Sequence, residues 1–316
     1  MPHRYTHVDP DHRPHSASTV FRWAVLDRLA GRRDIADPGP GAPRVDVDSA
    51  RLRTPADRPR ITWLGHASFL VQMASRTLLV DPVLAPRLGP LYRRYTAPGL
   101  GPSELPDLDV ILVSHAHYDH FDTWTLKRLD PGAAAVVPLG VGRWFRRRGF
   151  AEVHELGWWD RVEVRGVEVT LVPARHWSRR GLFDVNDSLW GGFVCRDGGG
   201  GVYHGGDSAY CDAFVEIGRR FPDLDVALLP IGAYEPAWFM EHSHMNPEQA
   251  GRAFLDVGAK ALVPMHWGTF QLTDESLRAP AERLRTWWRE HGPADRRLAV
   301  MAVGETFEPG GAQGNG

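Results

Sequence analysis

Val113-Ser-His-Ala-His-Tyr-Asp-His120 is the stretch from which the fold can be read. It follows the wholly apolar run 110–113, the pattern of a strand buried on both faces. His115, His117, Asp119 and His120 come directly after it. Three histidines and an aspartate at these spacings arise by chance in such a composition about two times in a thousand, so the segment reads as a site. In an extended turn His115 and His117 point the same way. As the chain bends into a helix expected over 122–129, Asp119 and His120 swing toward a neighbouring point. One loop can thus feed two metal ions, and imidazole with carboxylate suits zinc or related divalent ions.

One loop cannot close two sites, and three other strand ends offer the missing donors. His176 follows an apolar run in Val172-Pro-Ala-Arg-His-Trp177, and His266 does the same in Leu262-Val-Pro-Met-His-Trp-Gly268. Asp207 follows paired glycines in Tyr203-His-Gly-Gly-Asp-Ser208, where the missing side chains let backbone approach closely. Alone, each reads as an ordinary surface residue. Repeated at strand ends, where α/β folds place their ligands, they read as one cluster.

The chain has 316 residues, 43% of them hydrophobic, which is enough for one large core. A net charge of −2 provides no global field for a nucleic-acid polymer or an anionic membrane. The longest apolar runs, near Ile111 and Ala133, fall well short of the ~20 residues that cross a bilayer. Two cysteines, Cys195 and Cys211, exclude a disulfide scaffold and an all-thiolate metal site. No charged-then-apolar leader opens the chain, so a cytoplasmic protein is expected.

Residues 1–59 read as an N-terminal extension. Val20, Phe21, Ala24, Val25, Leu26 and Leu29 fall on one side of a short helix expected to pack on the main domain, with membrane contact the lesser alternative. A Pro/Gly-rich linker follows over 37–43. Residues 60–308 form the main domain and 309–316 a flexible tail. In the main domain, strands are expected at 61–64, 68–72, 77–80, 110–113, 134–137, 162–164, 167–172, 188–194, 201–204, 226–229 and 261–263. Helices are expected at 141–148, 210–221, 247–257 and 275–291. Strand clusters alternating with single helices indicate an α/β layered sandwich.

Seven segments together carry a resemblance: ITWLGHASFLVQ from Ile61, LVDP from Leu79, SELPDLDVILVSHAHYDHFD from Ser103, PARHWSRR from Pro173, GDSAYCD from Gly206, HMNPEQA from His244 and PMHWGTF from Pro264. Over about residues 60–270 the chain resembles the metallo-β-lactamase superfamily. More narrowly, it resembles bacterial relatives of N-acyl-phosphatidylethanolamine-hydrolysing phospholipase D. The HxHxDH element points to the superfamily alone, whereas the two His-Trp pairs and SELPDLD favour the narrower group. The resemblance implies an αββα four-layer sandwich with a two-metal cleft. It assigns one zinc to His115, His117 and His176 and a second to Asp119, His120 and His266, with Asp207 bridging both. It also implies that Asp81 orients metal ligands from behind, that His66 supports them, and that His244 helps at the cleft, although His244 could instead cap the helix that begins near Pro247.

The reaction so implied is phosphodiester hydrolysis. Two divalent ions, most simply Zn²⁺, would lower the pKa of a bridging water toward ~7 and yield hydroxide at neutral pH. Asp119 and Asp207 would fix its orientation, and His244 would protonate the leaving alcohol. Trp177, Tyr234, Trp238, Phe239 and Met240 could form an apolar doorway for a lipid, or could simply be core. Arg87, Arg93 and Arg94 could meet phosphate headgroups. The expected partner is a small-molecule or lipid phosphodiester and not a nucleic-acid polymer, with peripheral membrane contact and a homodimer left open. Three other readings stand beside this one: a lactonase of the ascorbate-6-phosphate type, a small-nucleotide phosphodiesterase, and a non-catalytic metal-binding protein.

Overall fold

The structure is a computed structural model and describes residues 5–6, 15, 17–89, 92–181 and 183–310. Its strands are β1 (Arg60–Gly65), β2 (Ser68–Met73), β3 (Arg76–Val80), β4 (Arg87–Leu88), β5 (Tyr92–Arg93), β6 (Val110–Leu112), β7 (Ala134–Pro138) and β8 (Val153–Leu156). These are followed by β9 (Arg161–Val164), β10 (Val167–Val172), β11 (Gly192–Asp197), β12 (Gly200–His204), β13 (Val226–Pro230), β14 (Ala261–Met265), β15 (Arg297–Leu298) and β16 (Thr306–Phe307). The α-helices are α1 (Ala17–Phe21), α2 (Ser49–Leu52), α3 (Thr123–Leu126), α4 (Gly142–Arg146), α5 (Ala213–Arg220), α6 (Ala237–Met240), α7 (Pro247–Val257) and α8 (Ala279–His291). None of the described helices is long and apolar enough to cross a membrane.

Two seven-stranded sheets stack face to face. One runs β16-β1-β2-β3-β6-β7-β8 and the other β15-β14-β13-β12-β11-β10-β9. Strand alternation explains how both faces of the first sheet are buried. Phe69, Val71, Leu78, Val80, Val110 and Leu112 point into the inter-sheet core with Leu171, Phe193 and Leu228 of the second sheet. The intervening Leu70, Leu79, Ile111 and Val113 face a separate core with Leu126 of α3 and Phe145 of α4. On the far side of the second sheet, Phe214 of α5, Phe254 of α7 and Leu284 of α8 are buried. The layers are helix, sheet, sheet, helix, as expected.

Strand direction brings the site together. Each of β1 and β3 is antiparallel to β2, and β3 is parallel to β6, so these three strands end on one rim. By the same reasoning β10, β12 and β14 end together in the second sheet. His66, Asp81 and the 115–120 loop follow the first set. His176, Asp207 and His266 follow the second.

Several boundaries differ from the sequence expectation. The helix expected from 275 begins at Ala279, because the Glu275 carboxylate instead accepts the Ala233 N–H at 2.6 Å and the Glu235 N–H at 3.2 Å. The one expected over 122–129 is the single turn α3, with Asp122 as its N-cap accepting from the Trp124 and Thr125 amides. The one expected from 210 starts at Ala213. β8, the two-residue β15 and β16, and α6 were not anticipated. In the extension, α1 runs into a π-helical turn over Arg22–Asp27. Leu26 and Leu29 are 49% and 82% exposed, so the apolar side does not pack as a whole. Farther along, Ala42 joins the inter-sheet core and Val45 donates its N–H to Val303 O at 2.9 Å. Of the tail, residues 311–316 lie outside the described residues.

Candidate metal centre

Seven side chains from four stretches converge at the rim. His115 Nε2 lies 2.9 Å from His117 Nδ1, and that nitrogen lies 3.1 Å from His176 Nε2. His115 Nε2 and His176 Nε2 stand 3.9 and 3.8 Å from Asp207 Oδ2. This is a first pocket of four donors. A second shares the same oxygen: Asp207 Oδ2 is 3.2 Å from His120 Nε2 and 3.3 Å from His266 Nε2. Asp119 Oδ2 closes it, 3.2 Å from His266 Nε2 and 3.7 Å from His120 Nε2. Donors around a tetrahedral ion with bonds of 2.0–2.1 Å stand roughly 3.3 Å apart, so both sets match such an ion in spacing as well as in chemistry.

Proton positions support the fit. Ser114 gives its hydroxyl proton to Asp81 Oδ2 at 2.6 Å, so its oxygen accepts from His115 Nδ1–H at 3.0 Å. His120 Nδ1–H donates to Asp81 at 2.7 Å, and His176 Nδ1–H donates to the Ser243 carbonyl at 2.9 Å. As a neutral imidazole, each of these rings carries its proton on the outward nitrogen, leaving Nε2 bare and facing the pocket, as metal-ligating histidines require. In the first pocket two bare nitrogens therefore confront His117 Nδ1, where at most one proton could serve all three. His120 Nε2 and Asp207 Oδ1 are buried without any hydrogen-bond partner. A bound cation would resolve these conflicts.

Electrostatics divides the pockets. Burial drives His117 and His176 down to about 3 and His115 well below the usual imidazole range, leaving three neutral rings. Burial acts downward on His120 and His266 too. The Asp207 and Asp119 carboxylates outweigh it, raising His266 to about 9 and His120 well above its ordinary value. The second pocket thus demands positive charge.

Local backbone explains how these residues reach the site. His66, Asp81 and His266 all have positive φ, at 54°, 43° and 64°, a conformation uncommon for residues with side chains and often found at functional sites. Gly206 has φ 58°, and a Cβ there would lie 2.7 Å from Gly191 O, so the turn delivering Asp207 requires glycine. His66 Nε2 stands 3.1 Å from Asp119 Oδ2, and its carbonyl accepts the His266 N–H at 3.1 Å. His244 is buried with Nδ1 3.9 Å from Asp207 Oδ2 and without a hydrogen-bond partner.

The aromatics do not form one doorway. Trp177 meets the His117 ring edge-on at 4.5 Å, beside the first pocket. Tyr234 is buried with the Arg283 guanidinium 4.6 Å over its ring, and Met240 is buried as well. Phe239 stacks on Trp23 and His15 of the extension, and Trp238 is 53% exposed. Arg94 turns inward to the Ala85 carbonyl at 2.9 Å and stacks over Phe270, which corrects its expected headgroup role. Sequence reasoning did not single out Ser114, although it lies inside the decisive motif. It also missed the Ser243 carbonyl, which has no side-chain signal to find.

A family described as the beta-lactamase superfamily domain matches residues 76–267. The chain is 38% identical to N-acyl-phosphatidylethanolamine-hydrolyzing phospholipase D 1 of Caenorhabditis elegans, over 78% of this chain and 75% of that protein. It is 30% identical to a metal-dependent hydrolase of Methanopyrus kandleri, over 79% of this chain and 99% of that protein. Among solved structures, the metallo hydrolase Igni18 of Ignicoccus hospitalis has the same fold, with a TM-score of 0.61 at 23% identity, covering 79% of this chain and 98% of that one. The rim of converging histidines and aspartates and these matches lead to one conclusion: the chain belongs to the metallo-β-lactamase superfamily and is one of its metal-dependent hydrolases.

Proposed function

We propose that the chain is a dinuclear phosphodiesterase of the N-acylphosphatidylethanolamine phospholipase D type. The observation that carries the two-ion reading is the sharing of one atom, Asp207 Oδ2, by two four-donor sets. His115, His117, His176 and Asp207 would hold one divalent ion. Asp119, His120, His266 and Asp207 would hold the other. Zinc suits this mixture of imidazole and carboxylate. Similarity to the Caenorhabditis elegans phospholipase supports a phosphodiester substrate.

When bound, two such ions supply a water of lowered pKa and polarise a phosphoryl oxygen. The chain's own residues do the rest. Asp119 and Asp207 offset positive charge and orient the attacking water. Asp81 and Ser114 keep His120 and His115 in the tautomers that face inward. His244 brings an unpartnered Nδ1 to the edge of the cleft, where it would hold a proton against the oxygen of the leaving alcohol. Trp177 walls the first-pocket side.

The test is metal analysis and a substrate panel on one preparation. About two ions per chain and cleavage of bis(p-nitrophenyl) phosphate and of an N-acylphosphatidylethanolamine in mixed micelles are expected. Lactone opening without diester cleavage would replace this reading with a lactonase. Metal without turnover of diesters, lactones or thioesters would leave a binding protein.

A further inference from the structure

We propose that Trp23 in the N-terminal extension is a positioning residue for the cleft, holding through Phe239 the turn that presents Ser243 and His244 to the metal centre. The inference rests on reading that cleft as the catalytic site.

The rings of His15 and Trp23 each lie 4.3 Å from the Phe239 ring, inclined to it by 2° and 19°. Two rings stacked at that distance cannot share one face, so Phe239 is sandwiched. His15 Nε2 also donates to the Phe239 carbonyl at 2.8 Å. The sandwich is anchored in turn. The Arg33 guanidinium sits 4.0 Å over Trp23 and pairs with Asp274, both side chains being nearly buried. Residues farther along the extension continue the seam, with Ala36 N–H donating to Asp274 O and Leu277 N–H to Pro38 O.

What the sandwich holds is short and close to the centre. Phe239 lies in α6, a single turn. The next residue's carbonyl, Met240 O, accepts the N–H groups of Ser243 and His244 at 2.9 Å each. Ser243 O in turn accepts the outward proton of His176, the first-pocket donor. Two connections therefore leave Phe239, one to His176 through Ser243 O and one to His244. A single helical turn has little stability of its own, so its position depends on what packs against it. Small displacements of a positioning element can cost up to about a hundredfold in rate.

The Trp23 indole N–H is buried without an acceptor, so its contribution is the stacking face. A phenylalanine there keeps that face and an alanine removes it. The experiment uses full-length, metal-loaded protein with Trp23→Ala and Trp23→Phe. Three quantities are measured: hydrogen exchange over residues 237–246, the rate of metal transfer to a chelator, and kcat and KM for bis(p-nitrophenyl) phosphate. Trp23→Ala should speed exchange over 237–246, speed loss of one of the two ions, and lower kcat about tenfold with KM little changed. Trp23→Phe should restore all three. Unchanged exchange in Trp23→Ala overturns the proposal. So does faster exchange with metal loss and kcat within about twofold of the parent. Should Trp23→Ala fail to fold, Arg33→Ala is read by the same criteria. If the parent itself does not cleave the diester, the substrate reading fails, while exchange and metal transfer still decide this inference.

Discussion

The two halves of the candidate metal centre share an oxygen and differ in almost everything around it. The first pocket sets three imidazoles around Asp207, and the partners behind them, Ser114 Oγ and the Ser243 carbonyl, are neutral. The second adds Asp119 to Asp207, has the Asp81 carboxylate behind His120, and receives His66 against Asp119. One carboxylate serves the first pocket, while three lie at or behind the second. Since a buried charge is tolerated only when it is paired, the second pocket should grip a divalent ion harder. The first should exchange it more readily. Ser114 ties the halves together, accepting from His115 while donating to Asp81.

The largest effect should come from removing what the halves share. Asp207→Ala should empty both pockets and lower phosphodiester turnover on the order of 10³-fold or more, read by metal analysis and kcat on the same sample. Retention of two ions would mean that Asp207 does not bridge. Next comes the inequality itself. Graded chelation should remove one ion first, and His176→Ala should retain about one tightly held ion, whereas His266→Ala should retain about one loosely held ion. The reverse order would break the charge argument. A smaller change is expected behind the ligands. His66→Ala and Asp81→Asn should weaken the second ion about 10–100-fold and leave the first nearly unaffected, whereas Ser114→Ala should loosen both.

The smallest effect separates acid loss of metal from acid loss of fold. Burial pushes Glu155 up, but the Arg146 guanidinium and the Gly142 and Gly140 N–H groups outweigh it and hold its pKa below the usual glutamate value. A carboxyl depressed in the folded state adds stability that is complete above its unfolded pKa and lost as pH falls through the folded one. Glu155→Gln should therefore lower the melting temperature slightly near neutrality and flatten its decline below about pH 4.5. Metal content at neutral pH should not change. A parallel loss of metal would show that this staple and the centre are not independent.

Much of this site was legible in the chain because ligand type and strand position are local properties. His115, His117, Asp119 and His120 follow one apolar strand, and His176, Asp207 and His266 repeat the pattern of donor after strand. Asp81 was legible through the LVDP segment, though not its bond to His120. The apolar doorway was less legible. Tyr234, Trp238, Phe239 and Met240 are nearly contiguous, yet one turn of helix and the arrival of Arg283, Trp23 and His15 send them to different surroundings. The start of α8 was misplaced for a similar reason: Glu275 is a good helix former, but its carboxylate is used to hold the 233–235 backbone.

Residue chemistry and hydrophobic period indicated the layered fold and the candidate donors, since each depends on neighbours a few positions apart, and the resemblance carried by the seven segments indicated the class of hydrolase. Tertiary structure decided which imidazole nitrogen faces inward, that Asp207 Oδ2 serves two pockets, and that the N-terminal extension reaches α6. Those outcomes depend on angles and distances between segments up to 224 residues apart, as between His15 and Phe239. A proton's position or a shared lone pair exists only once such segments have met.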